Sequence, residues 1–420
     1  MDMLLTVKQD PKLEMTDYIF LFGMWLTTLW TIDPFGWRLD FIGVVNRFPI
    51  ILISPAFVLA FVGSVVFKRF RAGTSILKPI NSTLVMLIFL FSTYVTIGSL
   101  FAKIVNNVDN VFLNMGTHSL TATFTIWYLR RAVNPFALVK ATLYVYIFWA
   151  TIAVAMQVIK FKGTEVFHAR EHLVIAGLSL FYFISHSTLA RSMALMIIFF
   201  SAFVGQKNTA YMTALLCFFI FFIIWAVEYS NKIKDKFKRW MFWSSSFFVI
   251  IFSALFVALI YFSIKSKLPD GNPVYRLHTY EKAWDKFLSS PIWGNGYTGP
   301  ATEKFDLFTV NSSTQVLPTH SDPLDILANG GLIGILIWVS IFVFVFRDWF
   351  LLITSSDKPV DVKYIPYIHT LFTMIIAGLL VCAFNPILNT PNSAWAFWAL
   401  VGMLTAINTP LGNYKSKVYI

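Results

Sequence analysis

Apolar runs of about 17 to 25 residues, separated by short polar or basic connections, recur along almost the whole chain. Each run is long enough to cross a hydrocarbon layer of about 30 Å as a helix, and a water-soluble core has no use for so many. The pattern predicts an all-α, polytopic membrane protein with about twelve transmembrane helices. They fall at residues 18–32, 48–67, 79–101, 111–129, 136–159, 172–188, 190–206, 209–228, 240–263, 326–346, 365–384 and 392–407. One polar stretch interrupts the rhythm, residues 265–325, so the chain divides into a first set of spans (1–264), a large loop (265–325), and the last spans with the tail (326–420).

A structureless loop of that length would be unusual, and this one carries a helical signal. Leu277, Tyr280, Trp284, Phe287 and Leu288 recur at helical spacing, and "SSPIWGNG" stops the run with proline and glycine. Such a helix is expected to lie on the bundle or on the membrane surface. The next span opens with "HSDPLDILANGGLIG", in which Asp322 and Pro323 form the expected N-cap and N1 pair. Gly330, Gly331 and Gly334 then present a small face for close packing.

Composition agrees with the pattern. Of the 420 residues, 57% are hydrophobic and 13% charged, which excludes an ordinary soluble enzyme. The net charge of +12 would suit nucleic acid if it were gathered on one soluble face, but the basic residues are scattered between apolar spans. Nucleic acid is therefore not an expected partner, whereas membrane lipids and an anionic substrate are. Most of the 33 Lys and Arg residues fall in connections on the N-terminal side of the membrane, which puts both termini in the cytoplasm and the 265–325 loop outside. The first residues lack the apolar core and cleavage site of a secretory signal, so Met1 is expected to begin the mature protein. Cys217 and Cys382 sit singly in apolar runs and have neither metal-ligand nor disulfide spacing.

The titratable groups at the loop are the candidates for chemistry. His320 stands just before a helix start, where exposed amides and the helix dipole disfavour an imidazolium and leave a neutral ring able to accept a proton. Taken alone it reads more readily as a polar residue at the membrane boundary than as a base. Arg276, on the loop helix, has the fork geometry that suits phosphate oxygens. Arg191, where two spans meet, either marks a broken helix or anchors the cytoplasmic side. Arg170, in "KFKGTEVFHAREH", either lines a substrate site or belongs to a charged interfacial loop. Trp284, Trp293 and Tyr297 could stack on sugar rings or anchor the interface. Asp322 reads as a cap or as a catalytic neighbour of the histidine.

The order "LARS" (189–192), Arg276 followed by "EKAWDKFLSSPIWGNG", then "HSDPLDILANGGLIG" resembles the O-antigen ligase and O-antigen polymerase superfamily. The resemblance implies a membrane glycosyltransferase of the GT-C type that needs neither nucleotide sugar, metal nor other cofactor. Its donor would be a glycan carried on undecaprenyl diphosphate. The acceptor would be a lipid-linked repeat unit, lipid A core or protein, and a chain-length regulator protein is a further partner. It also implies that Arg276 and Arg191 bind the diphosphate and that His320 acts on the acceptor hydroxyl. Arg170, Trp284 and Asp322 join these as substrate-binding candidates, at the periplasmic face of a bacterial inner membrane. One departure is visible. Where some ligases carry an acid in the last external turn, this chain has "FNPILNTPN", with Asn385, Asn389 and Asn392. A lipid-linked sugar flippase or transporter is the alternative from a different class, but it would place polar groups near the midplane and show repeated halves.

Overall fold

The computed structural model describes residues 13–34, 83–106, 112–132, 134–160, 170–205, 207–232, 272–297, 319–354, 362–388 and 391–408. The expected spans at 48–67 and 240–263, and the loop beyond residue 297, lie outside them. The described residues are helical, without strands. In chain order the helices are α1 (Met15–Ile32), α2 (Thr83–Asn106), α3 (Phe112–Leu129), α4 (Pro135–Lys160), α5 (Glu171–Val174), α6 (Ser179–Ile184), α7 (Thr188–Gly205), α8 (Asn208–Lys232), α9 (Asn272–Ser289), α10 (Asp322–Thr354), α11 (Ile365–Cys382) and α12 (Pro391–Asn408). Among the described residues six helices, α2, α4, α7, α8, α10 and α11, are long and apolar enough to cross a membrane. The protein is a polytopic membrane protein.

Burial sorts the helices by depth. Every described side chain of α12 from Ser393 to Ile407 is buried, and α11 is nearly so, whereas α2 and α7 turn strings of exposed Leu, Ile, Met and Phe outward. In a bilayer those exposed strings face lipid, and α11 and α12 form the centre. Aromatic stacking fills the middle of the bundle: Trp349 of α10 lies flat on Phe372 of α11 at 3.6 Å, and Phe342 stacks on Trp398 of α12. Such ring pairs add directional attraction to simple area burial.

The segment expected as one span at 172–188 is interrupted. α5 and α6 are separated by a turn, and from Glu171 to Ile184 the segment would reach only about 21 Å as continuous helix, too short to cross. Irregular backbone is tolerated in a membrane only where protein covers it. Residues 171–180 are all buried, and turn bonds such as Ser179 N–H to Ala176 O satisfy the backbone. The segment runs antiparallel along α11, with His172 against Gly378 and the Phe183 ring 5.2 Å from His369.

α9 forms as its spacing predicts and ends at the expected turn, but its faces are divided differently. Thr279, Ala283 and Phe287 are buried, while Trp284 and Leu288 are exposed. α9 packs on α10, which brings the loop helix to the end of the bundle where α10 begins.

Candidate functional site at the head of α10

Two glycine motifs lock the loop helix to α10. Gly331 interrupts α10 with φ 60°, so the N–H groups that follow lose their partners one turn back. The turn after α9 supplies replacements: Leu332 N–H donates to Pro291 O at 2.8 Å and Ile333 N–H to Ile292 O at 3.2 Å. A Cβ at Gly331 would stand 2.5 Å from Gly294 N and from Ile292 O, and one at Gly294 would meet the Asn329 carbonyl. The small face of α10 therefore receives the loop, the Tyr297 ring and, from the helix α2 packed beside it, Tyr94. The Tyr94 hydroxyl of α2 lies 2.8 Å from Trp293 O and 2.9 Å from Gly330 O. Tyr297 is buried between Gly98 and Gly330, and burial raises its hydroxyl pKa.

Further along α9, Lys286 Nζ donates to Asn329 Oδ1 at 2.8 Å, and Asn329 Nδ2 donates to Asp325 O at 2.8 Å. Burial pulls the Lys286 pKa down to about 8, against the opposing pull of the Asp325 charge. The Thr319 hydroxyl donates to Asp325 Oδ1 at 2.8 Å and accepts from Ser321 N–H at 3.2 Å. These bonds fix the chain entering α10, and His320 sits in that entry.

His320 adopts φ 61°, a left-handed conformation that a residue with a side chain holds only when its surroundings impose it. The imidazole is half-buried, and its pKa is held below the ordinary value first by burial and second by the Arg276 charge. Arg276 itself is half-buried, and its Nη2 reaches Asn385 Oδ1 at 3.5 Å in the turn after α11.

Asp322 corrects one expectation. It is the first residue of α10 rather than its N-cap, and its carboxylate turns to another part of the chain. Oδ2 accepts the N–H groups of Ile387 at 2.7 Å and Leu388 at 2.8 Å, fully buried. The carboxylate thus caps the turn that carries Asn385, and it also lies against Cys382. His320, Arg276, Asp322 and Asn385 are brought together in this way by α9, α10 and the turn after α11.

The other candidates stand apart. Arg170 is buried and its Nη1 donates to Ile32 O at 2.8 Å, joining α5 to the end of α1. Its neighbour His172 lies beside Gly378, one turn of α11 before Cys382, so this cluster sits beneath the site. Arg191 Nε donates to Ser185 O at 3.0 Å, with the guanidinium 5.6 Å from the Tyr182 ring. That corner is level with His369, about 20 Å along α11 from Cys382. Trp284 is on the outward face of α9 beside Phe287.

Residues 193–339 match the O-antigen ligase family model. The match covers less than half of the chain, and it supports placing the protein in the O-antigen ligase and polymerase superfamily and a function of that general type. The O-antigen ligase match contains Arg276, Trp284, His320 and Asp322, begins two residues after Arg191, and ends before Asn385. No curated protein matches the chain. Lys286, Asn329 and Thr319 were not evident as site residues from sequence. The signal available for Asn329 was a lone amide in an apolar run, and for Lys286 only its helical register behind Arg276.

Proposed function

We propose that the protein is an O-antigen polymerase-like glycosyltransferase of surface polysaccharide biosynthesis. It acts at the periplasmic face of a bacterial inner membrane, with both termini cytoplasmic. The donor is a glycan on undecaprenyl diphosphate, and the acceptor is a lipid-linked repeat unit. The observation that carries this reading is the convergence of His320, shielded and neighboured by a guanidinium, with Arg276 and Asn385 at the head of a membrane-spanning helix.

Neutral His320 takes the proton of an acceptor hydroxyl as its oxygen attacks the anomeric carbon. The bond from that carbon to the diphosphate breaks with inversion, and the lipid diphosphate leaves with its electron pair. Arg276, oriented by Asn385, stabilises the charge that develops on the departing oxygens. Arg191 is too distant along α11 to share this step in the observed conformation. Arg170 and Asp322 support the site's walls, and Trp284 stands at its membrane side.

The test uses purified protein in lipid vesicles with a lipid-diphosphate glycan donor. Turnover is expected to disappear in His320→Ala and Arg276→Ala while the thermal midpoint holds, and to survive EDTA, since the reaction needs no metal. Full activity in His320→Ala would sink the base assignment. The description of the matched family favours a second reading, in which the acceptor is lipid A core. Deleting the gene separates the two. Surface glycan reduced to single attached repeats supports the polymerase, and long lipid-linked polymer with bare core supports the ligase.

A further inference from the structure

The exposed face of α9 changes character along its length. Past its middle it shows Glu281 and Asp285, and at its C-terminal end Leu288 is 57% exposed. The turn then adds Ile292 at 55% and Trp293 at 67%, while Trp284, at 50%, stands between Glu281 and Asp285. So large an apolar patch on an element outside the spans requires a cover.

Continuity with α10 identifies it. The turn is hydrogen-bonded to Leu332 and Ile333, and Leu332 heads a stripe of exposed Leu336, Val339 and Val343 that runs to Arg347, with Phe350 and Leu351 exposed one turn beyond. Leu332 to Arg347 spans about 22 Å at ~1.5 Å per residue. Even with the boundary as far along as Leu351, about 28 Å from Leu332, Leu332 is still inside a hydrocarbon layer of about 30 Å. A turn bonded to Leu332 cannot stand clear of the bilayer.

We infer that the C-terminal end of α9, from Leu288, and the turn at 291–293 are seated in the lipid leaflet on the His320 side, with α9 tilted so that Arg276 is held in the headgroup layer. Trp293 and Trp284 occupy the interfacial zone that indole rings favour, and Leu288 and Ile292 reach the acyl boundary. Glu281 and Asp285, two turns and one turn before Leu288, remain in water. The occupant of the patch is the bilayer itself, and this holds whether or not the site transfers sugars.

Nitroxide labels on single introduced cysteines test the seat in vesicles of phosphatidylethanolamine and phosphatidylglycerol. Both native cysteines are buried, so labelling is confined to the introduced one. Labels at Glu281→Cys, Leu288→Cys, Ile292→Cys and Trp293→Cys are compared with Leu336→Cys on the lipid-facing stripe. The ratio of collisions with oxygen to collisions with a water-soluble nickel complex is expected to rise from Glu281 to Leu288. At Ile292 and Trp293 it should come within about twofold of the Leu336 value. Water-like ratios at Ile292 and Trp293 would overturn the proposal. So would spin–spin broadening that disappears on dilution with unlabelled protein, which means a second copy covers the patch, or shielding from both reagents. If Trp293→Cys fails to fold, Leu288 and Ile292 carry the same comparison.

Discussion

Replacing Asp322 separates a structural role from a chemical one. Its Oδ2 accepts two backbone N–H groups from the turn that holds Asn385, in a place closed to water. Asp322→Ala strands both donors, each costing about 1–3 kcal/mol when buried without a partner, for a total of about 2–6 kcal/mol. That is a large fraction of the usual margin of about 5–15 kcal/mol. Asp322→Asn keeps an oxygen in the same place and loses the charge assistance, about 2–3 kcal/mol for the pair. The expected order is therefore severe loss of thermal midpoint and turnover in Asp322→Ala, and a smaller loss of both in Asp322→Asn. Thermal unfolding in detergent and kcat and KM with a lipid-diphosphate donor measure the two quantities. If Asp322→Asn abolishes turnover while its thermal midpoint equals that of the wild type, Asp322 takes part in the chemistry and the capping argument is wrong.

Three further outcomes follow from the same geometry. Because the pKa of His320 lies below the ordinary 6.5, the neutral base persists as pH falls through that value, and the acid limb of kcat/KM should lie below it. Arg276→Gln removes a positive neighbour, so the limb of its residual activity should move to higher pH, while Arg276→Lys should leave it in place. Lys286, with a folded-state pKa of about 8 against 10.5 when unfolded, binds fewer protons folded than unfolded between those values. Stability relative to Lys286→Met should therefore rise as pH increases from about 8 to 10.5, and a flat difference would show that the amine is not shielded. Gly331→Ala forces a Cβ into backbone atoms at 2.5 Å in a left-handed conformation, and should yield little folded protein, read as monodisperse material after extraction.

Much of the architecture was legible because membrane spans and the loop helix announce themselves by length and spacing. The ten expected spans that fall in the described residues all contain helix, and α9 appears where Tyr280, Trp284 and Phe287 recur. His320 and Arg276 were legible as a pair through the resemblance. The break between α5 and α6 was not, since an apolar run reads the same whether lipid or protein covers it, and only α11 packed alongside explains the buried turn. Asp322 misled for a related reason. A carboxylate beside a proline at a helix start looks like a local cap, and the N–H groups it serves lie more than sixty residues away at Ile387 and Leu388. Asn385 drew notice only as the absence of an acid, because what it touches is decided by that same distant strap.

The interlock of Gly294 with Gly331 also bears on how the protein could be rebuilt. Since the loop's carbonyls complete the hydrogen bonding of α10, the loop helix and the head of that helix are a single cartridge rather than a lid over a fixed base. A chimera that exchanges the loop alone would leave two broken halves. An exchange of residues 276–297 together with 319–333 and the turn at 385–388 carries across the guanidinium, the imidazole and the strap that aligns them, and of the lipid-facing stripe on α10 replaces only Leu332.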